Sequence, residues 1–299
     1  MIKIELDNRY DGKSCVNNKY EYSKTLLTEA ESKYISIPLS AIVDKELDTK
    51  RVGILSYLRV HCGLNDIVGF TIPDMVEWCG GKPDRKTNST NDKFLSVLDS
   101  LVDRGYLTYL NKKSKSAYIK CKLDNAYYYE ECSNGYAVIY LDEIEKIMNY
   151  KKKNTKDNSI TNVNILLAFA YLRHKIRRRP NELKPEERTT DGILKRKERC
   201  PEAFDSNINN IAEEIGISAK TFSKIIDILE QELKLIVTDR AYRIKNEKGE
   251  FRTLPTIFAN AYKREDKYLL LVEKDYSRSE IELKAKSIRD YKINKTKRK

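Results

Sequence analysis

The side chains with the most distinctive chemistry in this chain are short polar and basic groups at two places, each at the start of an apolar helical pattern. The first place holds Arg85, Lys86, Asn88, Ser89, Asn91 and Lys93. The second holds Lys220, Thr221, Ser223 and Lys224. Asparagine can bond two atoms of an adenine, lysine can reach guanine, and hydroxyl groups can contact base edges or phosphate. Both groups are therefore candidate contacts to nucleic acid. Helix caps and solvated faces are the alternative interpretation, above all for Ser218 and Asp92.

Further basic side chains cluster at predicted β-hairpin tips and in one loop. Residues 106–110 and 117–123 are rich in Tyr, Ile and Leu, which predicts two strands, and the loop between them carries Lys112, Lys113 and Lys115. A second predicted turn at residues 246–249 is surrounded by Arg240, Arg243, Lys245 and Lys248. A long polar segment carries Arg177, Arg178 and Arg179. Lysines at a hairpin tip can reach flanking phosphates, so we add these residues to the candidate DNA contacts.

Covalent catalysis would need a nucleophile, and the three adjacent tyrosines at residues 127–129 are the conspicuous candidates. A tyrosine that nicks DNA also needs a metal ion, and His61 and His174 stand apart in the sequence. We therefore interpret the tyrosines as packing residues. No Ser-His-Asp set, HExxH pattern or nucleotide-binding loop occurs. We predict no catalytic residue, no metal, no cofactor and no cleavage of supercoiled DNA.

Length and charge bound the class of protein. The 299 residues favour about two domains, and 40% hydrophobic residues are enough to build a core in each. Lys and Arg total 57 against 45 Asp and Glu, which gives a net charge of +12. An AT-rich coding sequence would also enrich lysine, but the clusters at loops favour a polyanionic partner.

The cysteines and the apolar runs indicate the compartment. The six cysteines contain no CxxC pair, so we predict free, buried thiols rather than disulfides or a zinc site. No apolar run approaches the ~20 residues of a membrane span, and the amino terminus lacks the plan of a signal peptide. We predict a cytoplasmic protein that does not bind membranes.

The stretch from Asn207 to Lys224 is the strongest single structural signal. Apolar residues recur at helical spacing up to Ile215, Gly216 breaks the pattern, and Ser218 restarts it as a predicted helix cap. The segment resembles the consensus of DNA-binding helix-turn-helix proteins in its core positions between Ile208 and Leu229. The alternative is an ordinary helical hairpin within a larger core.

The plan of the chain recurs, which predicts two similar domains. Phe94, Val97, Leu98, Asp99, Leu101 and Leu107 align without a gap with Phe222, Ile225, Ile226, Asp227, Leu229 and Leu235. These residues belong to two helical patterns, and each pattern leads into a predicted β-hairpin. The predicted fold is therefore α+β, mainly helical, with two tandem winged-helix domains and short β-hairpin wings. We assign residues 1–33 to an amino-terminal arm, 34–126 to the first domain, and 127–272 to the second, with a basic insertion at 176–205. Residues 273–299 form a basic helix or tail that either contacts phosphates or serves solubility.

This architecture resembles the tandem winged-helix replication initiator proteins of bacterial plasmids and phages. The resemblance covers residues 34–272 and rests on architecture and on the helix-turn-helix core. It implies sequence-specific binding of double-stranded DNA at origin repeats, with host replication proteins and a second copy of the chain as further partners. A transcriptional repressor and an adaptor that binds replisome proteins are the rival interpretations.

Overall fold

A computed structural model describes residues 2–4, 20–26, 29–84, 86, 89–114, 117–151, 160–176, 202–240, 243–245, 251–253, 255–265, 268–271 and 281–285. The fold is α+β and mostly helical, with small antiparallel sheets. Within these ranges, no helix is both long enough and apolar enough to cross a membrane.

The helices of the described residues are 4 to 14 residues long. They are α1 (Glu29–Ser32), α2 (Leu39–Val43), α3 (Arg51–Val60), α4 (Ile72–Trp78), α5 (Thr90–Asp103), α6 (Asn125–Ser133), α7 (Leu141–Met148), α8 (Asn162–Lys175), α9 (Ile208–Ile215), α10 (Ala219–Asp227) and α11 (residues 281–285). A π-helical turn, Ile228–Glu232, continues α10.

The strands are short. They are β1 (Ile2–Ile4), β2 (Tyr20–Leu26), β3 (Tyr34–Pro38), β4 (Ile67–Phe70), β5 (Leu107–Tyr109), β6 (Ile119–Leu123), β7 (Tyr136–Tyr140), β8 (Ala203–Ser206), β9 (Ile236–Asp239), β10 (Arg243–Lys245), β11 (Phe251–Thr253), β12 (Thr256–Asn260), β13 (Tyr262–Glu265) and β14 (Tyr268–Leu271). They form antiparallel sheets in the orders β1-β2-β14-β13, β4-β6-β5, β8-β12-β9, β3-β7 and β10-β11.

The chain divides into two compact units. We call residues 29–174 and 209–229 the helical unit, and residues 1–28, 175–208 and 230–299 the sheet unit. The helical unit has a core of aliphatic side chains from α3, α5 and α8, including Leu58, Leu98 and Leu166. Burial of such side chains contributes roughly 1.5–3 kcal/mol each and is the main source of stability here.

Helix α5 shows why these elements form where they do. Phe94, Val97, Leu98 and Leu101 recur at the three- and four-residue spacing of one helix face, and all are buried. Ser89 accepts a hydrogen bond from the backbone N–H of Asp92, and the Asp92 carboxylate accepts one from the backbone N–H of Ser89. This capping box satisfies donors that the first helical turn leaves free.

One order of elements occurs twice along the chain. The first series is β3, α2, α3, β4, α4, α5, β5 and β6. The second begins after α6 and is β7, α7, α8, β8, α9, α10, β9 and β12, with the β10-β11 pair between β9 and β12. In both copies the last strand lies between the two strands before it in the series, as β4-β6-β5 and β8-β12-β9. We call the two series the first and the second repeat.

The hydrogen-bond register shows how the repeats correspond, and it corrects the ungapped sequence alignment. Leu107 pairs with Leu123 in the first repeat, and Ile236 pairs with Asn260 in the second. The carbonyl of Tyr106 accepts from the backbone N–H of Asp124, and that of Leu235 accepts from the backbone N–H of Ala261. Leu107 therefore corresponds to Ile236 and not to Leu235, which is one residue earlier. The π-helical turn after α10 accommodates the additional residue, as π-bulges do.

Two strand pairings fall outside the predicted domain plan. Strand β3 pairs along its whole length with β7, so the residues on either side of the predicted boundary at 126 and 127 share one ladder. Strand β2 of the predicted arm pairs with β14. Strands β3 and β7 therefore belong to one sheet, and residues 20–26 of the predicted arm form part of another.

Short elements between helices were missing from the sequence prediction. Strands β4 and β8 are each only 4 residues long and precede a helix directly, so they show little alternation. The tyrosines of residues 127–129 lie in helix α6, where packing rather than strand formation sets their conformation. Most of the predicted insertion at 176–205 and of the tail at 273–299 lies outside the described residues.

Candidate nucleic-acid interface

Helices α9 and α10 form the helix pair that the sequence predicted. Gly216 has φ +77, a left-handed conformation that ends α9, and the backbone N–H of Ile217 donates to the carbonyl of Ala212 at 3.0 Å. The Ser218 hydroxyl accepts from the backbone N–H of Thr221 at 3.1 Å and caps α10. The turn therefore fixes the angle at which α10 leaves it.

The side chains of the first turns of α10 divide into an exposed and a buried set. Lys220 is exposed, and Ser223 and Lys224 are half-buried. Thr221 is buried, and its hydroxyl bonds the Ser218 hydroxyl at 2.8 Å. Thr221 therefore completes the cap, and we reassign it from base contact to helix capping.

The corresponding end of α5 gives the same division. Lys86 and Lys93 are exposed, whereas Ser89 and Asn91 are buried. The Asn91 side-chain oxygen accepts from the backbone N–H of Asp84 at 3.2 Å, which ties the preceding loop to the helix. We therefore reassign Ser89 and Asn91 to structural roles, because a buried amide or hydroxyl cannot reach a groove.

The loop between β5 and β6 is fixed at its base by Asn111. Its side-chain amide donates to the carbonyl of Tyr118 at 2.9 Å, and its oxygen accepts from the backbone N–H of Lys120 at 2.7 Å. Lys112 is exposed, while the Lys113 ammonium lies 2.8 Å from the Asp99 carboxylate on α5. The other Asp99 oxygen accepts from the Tyr109 hydroxyl at 2.8 Å.

Asp99 thus connects helix α5 to the hairpin. Burial and the hydrogen bond to Asp99 raise the pKa of Tyr109, so its phenol stays protonated and donates this bond. Lys113 is paired with Asp99, so the exposed Lys112 is the more available of these two cations.

In the second repeat the candidate cations near the hairpin are partly described. Arg240 lies 3.8 Å from the Glu230 carboxylate. The backbone of Arg243 and Lys245 forms β10, which pairs with β11. The remaining candidates, Arg85, Asn88, Lys115, Arg177, Arg178, Arg179 and Lys248, lie outside the described residues.

Of the three tyrosines of α6, the central one is buried, as predicted, whereas Tyr129 is 59% exposed. Tyr128 is buried, its hydroxyl donates to the carbonyl of Ser36, and the Arg59 guanidinium lies 4.2 Å from the ring centroid. Burial raises its pKa. A protonated, enclosed phenol is poorly suited to nucleophilic attack.

The cysteines within the described ranges are free thiols. Cys79, Cys121 and Cys132 are buried, whereas Cys62 is only half-buried. Burial raises the pKa of the Cys121 thiol to about 12. No group of three potential metal ligands occurs among the described residues. Cys15 and Cys200 fall in the ranges that are not described.

Sequence reasoning missed two lysines on strand β6. Lys120 and Lys122 are exposed, while Ile119, Cys121 and Leu123 between and beside them are buried. The strict alternation of residues 119–123 is the signal that would have found them, because alternate residues of a strand face opposite sides of a sheet.

Comparison of the chain with protein-family models, with curated proteins and with solved structures gave no match.

Proposed function

We propose that this protein binds double-stranded DNA in a sequence-specific manner through two winged-helix units. The support for the winged-helix assignment is the repeated series of helix, strand, two helices and two strands. In both series the last strand lies at the centre of a three-stranded antiparallel sheet. Helices α5 and α10 would then be the recognition helices, and the segments after β5 and β9 the wings.

The observation that carries the proposal is the amino-terminal end of α10. A tight turn with a left-handed glycine and a capped first turn give this helix a defined direction. Lys220, Ser223 and Lys224 lie at that end with solvent access. Recognition helices place this end in the major groove, where lysine reaches guanine and hydroxyls reach bases or phosphate.

Helix α5 supports the proposal with fewer groups. Lys86 and Lys93 are exposed near its start, and Lys112 is exposed on the adjacent hairpin. Asp99 and Asp103 lie further along the helix, two and three turns beyond its amino-terminal end. The net charge of +12 adds a general attraction to polyanions.

Two dissimilar recognition helices on one chain favour a replication initiator that grips repeated origin sequences. A repressor usually has one such unit per subunit and obtains the second by dimerisation. Host replication proteins and self-association belong to this proposal as further partners.

Titration with duplex DNA at two salt concentrations tests the binding. If six to ten phosphates are contacted, affinity should fall by roughly 10³-fold or more between 50 and 200 mM salt. The double variant Lys220→Ala, Lys224→Ala should lose specific binding. Lys146→Ala with Lys151→Ala, which removes the same charge from exposed positions on and after α7, is the matched control. Equal affinity of both variants would exclude α10 as the recognition helix.

Selection of bound duplexes from a random pool tests the biological role. Direct repeats among the selected sequences are expected for an initiator. A single palindrome would point to a repressor, and the absence of any enrichment would contradict DNA recognition and favour the adaptor interpretation.

A further inference from the structure

The two three-stranded sheets have corresponding outer faces with different surroundings. In the second repeat this face carries Ala203 and Asp205 of β8, Ile257 and Ala259 of β12, and Val237 of β9. The register places Ile67 and Gly69 of β4, Lys122 and Lys120 of β6, and Thr108 of β5 at the same positions of the first repeat.

A helix covers the outer face of the second sheet. Ile281 and Ala285 of α11 are buried against Ala203, Ile257 and Ala259. The Lys284 ammonium lies 2.9 Å from the Asp205 carboxylate, so a basic helix side chain meets an acidic sheet side chain. Apolar contact and charge pairing together hold the short helix on the sheet.

The first sheet leaves the corresponding face open among the described residues. Lys120, Lys122, Thr108 and Gly69 are all exposed. Apolar side chains lie beside them with large exposed fractions: Ile67 38%, Leu110 50% and Tyr118 53%. Exposed apolar side chains that lie together and are bordered by polar groups are a feature of protein interaction sites.

Tyr118 shapes this open face. Its hydroxyl lies 1.9 Å from the place that a Cβ atom on Gly69 would occupy, so the phenol lies across the glycine. The residue of the second repeat that corresponds to Gly69 is Asp205, whose carboxylate contacts Lys284. At this position the Tyr118 phenol covers the first sheet, whereas the second sheet carries the carboxylate that pairs with Lys284 of the helix.

The charge of the face is reversed between the repeats. Asp205 and Asp239 lie on the second face, which receives a lysine-bearing helix. Lys120 and Lys122 lie on the first face, and a helix with the chemistry of α11 would bring its own lysine near them. A helix that is apolar on one side and acidic at its edge fits the first face.

We propose that the outer face of the β4-β6-β5 sheet binds an acidic amphipathic helix of another protein, in the place that α11 occupies on the second sheet. Such a helix would place apolar side chains against Ile67, Tyr118 and Leu110. Its carboxylates would pair with Lys120 and Lys122. This interaction is separate from the DNA contacts proposed for α5 and α10.

Two helix-stabilised synthetic peptides provide the probes. The first, the native probe, has the sequence of residues 279–289. The second, the acidic probe, carries Lys284→Glu and Lys286→Glu in the same sequence. Binding of each fluorescent probe to the full chain is measured by anisotropy at low and moderate salt.

The acidic probe should bind the full chain more tightly than the native probe, and salt should weaken its binding. The double variant Lys120→Glu, Lys122→Glu should bind the acidic probe with about tenfold lower affinity and the native probe with higher affinity. Lys146→Glu with Lys151→Glu, which changes the charge equally at exposed positions outside this face, should change neither. Tyr118→Ala should lower the affinity for the acidic probe, although it leaves the positive charge of the face unchanged.

Absence of acidic-probe binding at millimolar concentration would overturn the proposal, as would equal binding to the charge-reversed variant. A parallel duplex titration separates the two proposals. If the double variant Lys120→Glu, Lys122→Glu has lower affinity for duplex DNA and unchanged affinity for the acidic probe, the face contacts DNA and the helix proposal fails. An unchanged melting temperature of each variant shows that the fold is retained.

Discussion

The two repeats share an order of elements but stabilise it with different chemistry. In the first, the buried guanidinium of Arg51 in α3 donates to the carbonyls of Ala41, Ile42 and Leu47. In the second, Arg173 of α8 forms a buried ion pair with Glu143 of α7. Both arginines attach a long helix to the segment that follows strand β3 or β7. A common topology therefore does not require a common set of polar contacts.

The two arginines also differ in what compensates their charge. Arg51 has carbonyl dipoles as its direct acceptors, and burial lowers its pKa to about 10. Arg173 has a carboxylate, and both side chains of that pair are almost completely enclosed. Removing one member of a buried pair leaves the other charge without compensation, which costs more than losing a single hydrogen bond.

The largest effect is expected for Glu143→Gln. This change should lower the free energy of unfolding by about 3–5 kcal/mol, because the Arg173 charge remains buried without its carboxylate. Urea denaturation measures the loss. Glu145→Gln, at an exposed position of the same helix, should change stability by less than about 0.5 kcal/mol. A loss below about 1 kcal/mol for Glu143→Gln would mean that water reaches the pair.

The next effect concerns the crossing of α3 and α8, where the repeats meet. A Cβ atom on Gly53 would lie 2.6 Å from Cγ1 of Val163, so Gly53→Ala should destabilise the protein by about 1–3 kcal/mol. Val163→Ala removes the obstructing methyl groups. A thermodynamic cycle by thermal unfolding should show the double variant to be more stable than the sum of single effects predicts. Strict additivity would contradict the close crossing.

The glycines that end α4 and α9 provide a smaller, graded comparison. Gly80 and Gly216 have φ +74 and +77, so alanine at either position should cost about 1–2 kcal/mol of backbone strain. Gly80→Ala should cost more, because its Cβ would lie 2.5 Å from the Asn162 amide, which donates to the carbonyl of Met148 at 2.7 Å. Gly216→Asn should recover part of the loss, since asparagine tolerates this conformation. Guanidinium denaturation of the three variants gives the order, and the reverse order would contradict it.

The smallest effect concerns Asp99, which holds Lys113 in the first repeat. If the hairpin contacts DNA, Asp99→Asn should release the Lys113 charge, raise affinity by a few-fold at most, and steepen the salt dependence by about one charge. Fluorescence titration with a selected duplex at several salt concentrations measures both. Asp103→Asn, at an exposed position of α5, controls for general charge. A fall in affinity would show that Asp99 instead positions Lys113 for contact.

Much of the helical part of the fold was predictable because its patterns are local. The spacing from Phe222 to Leu229 and the turn chemistry of Gly216 and Ser218 predicted α10, its start and its buried face, all of which are confirmed. Strand β4 could not be predicted in the same way, because its 4 residues become a strand through pairing with β6. The same holds for β8.

The candidate site was predictable by residue type but not by exposure. Lys220 and Lys93 are at the helix ends with solvent access, as expected for contact residues. Asn91 and Thr221 have equally suitable chemistry, yet they are buried and serve the loop and the cap. A sequence pattern does not distinguish a polar group that faces solvent from one that satisfies the backbone, because both occur at helix starts.

The amino-acid sequence by itself determined helices α3, α4, α5, α8, α9 and α10 and the Ser218 cap, since these depend on residue spacing within a few turns. The tertiary structure decided which residues of the repeats correspond, because a π-helical turn shifts the second sheet by one residue. It also decided that one outer sheet face lies under α11 while the face with Lys120 and Lys122 stays open. That difference depends on contacts between segments far apart in the chain, which no local pattern encodes.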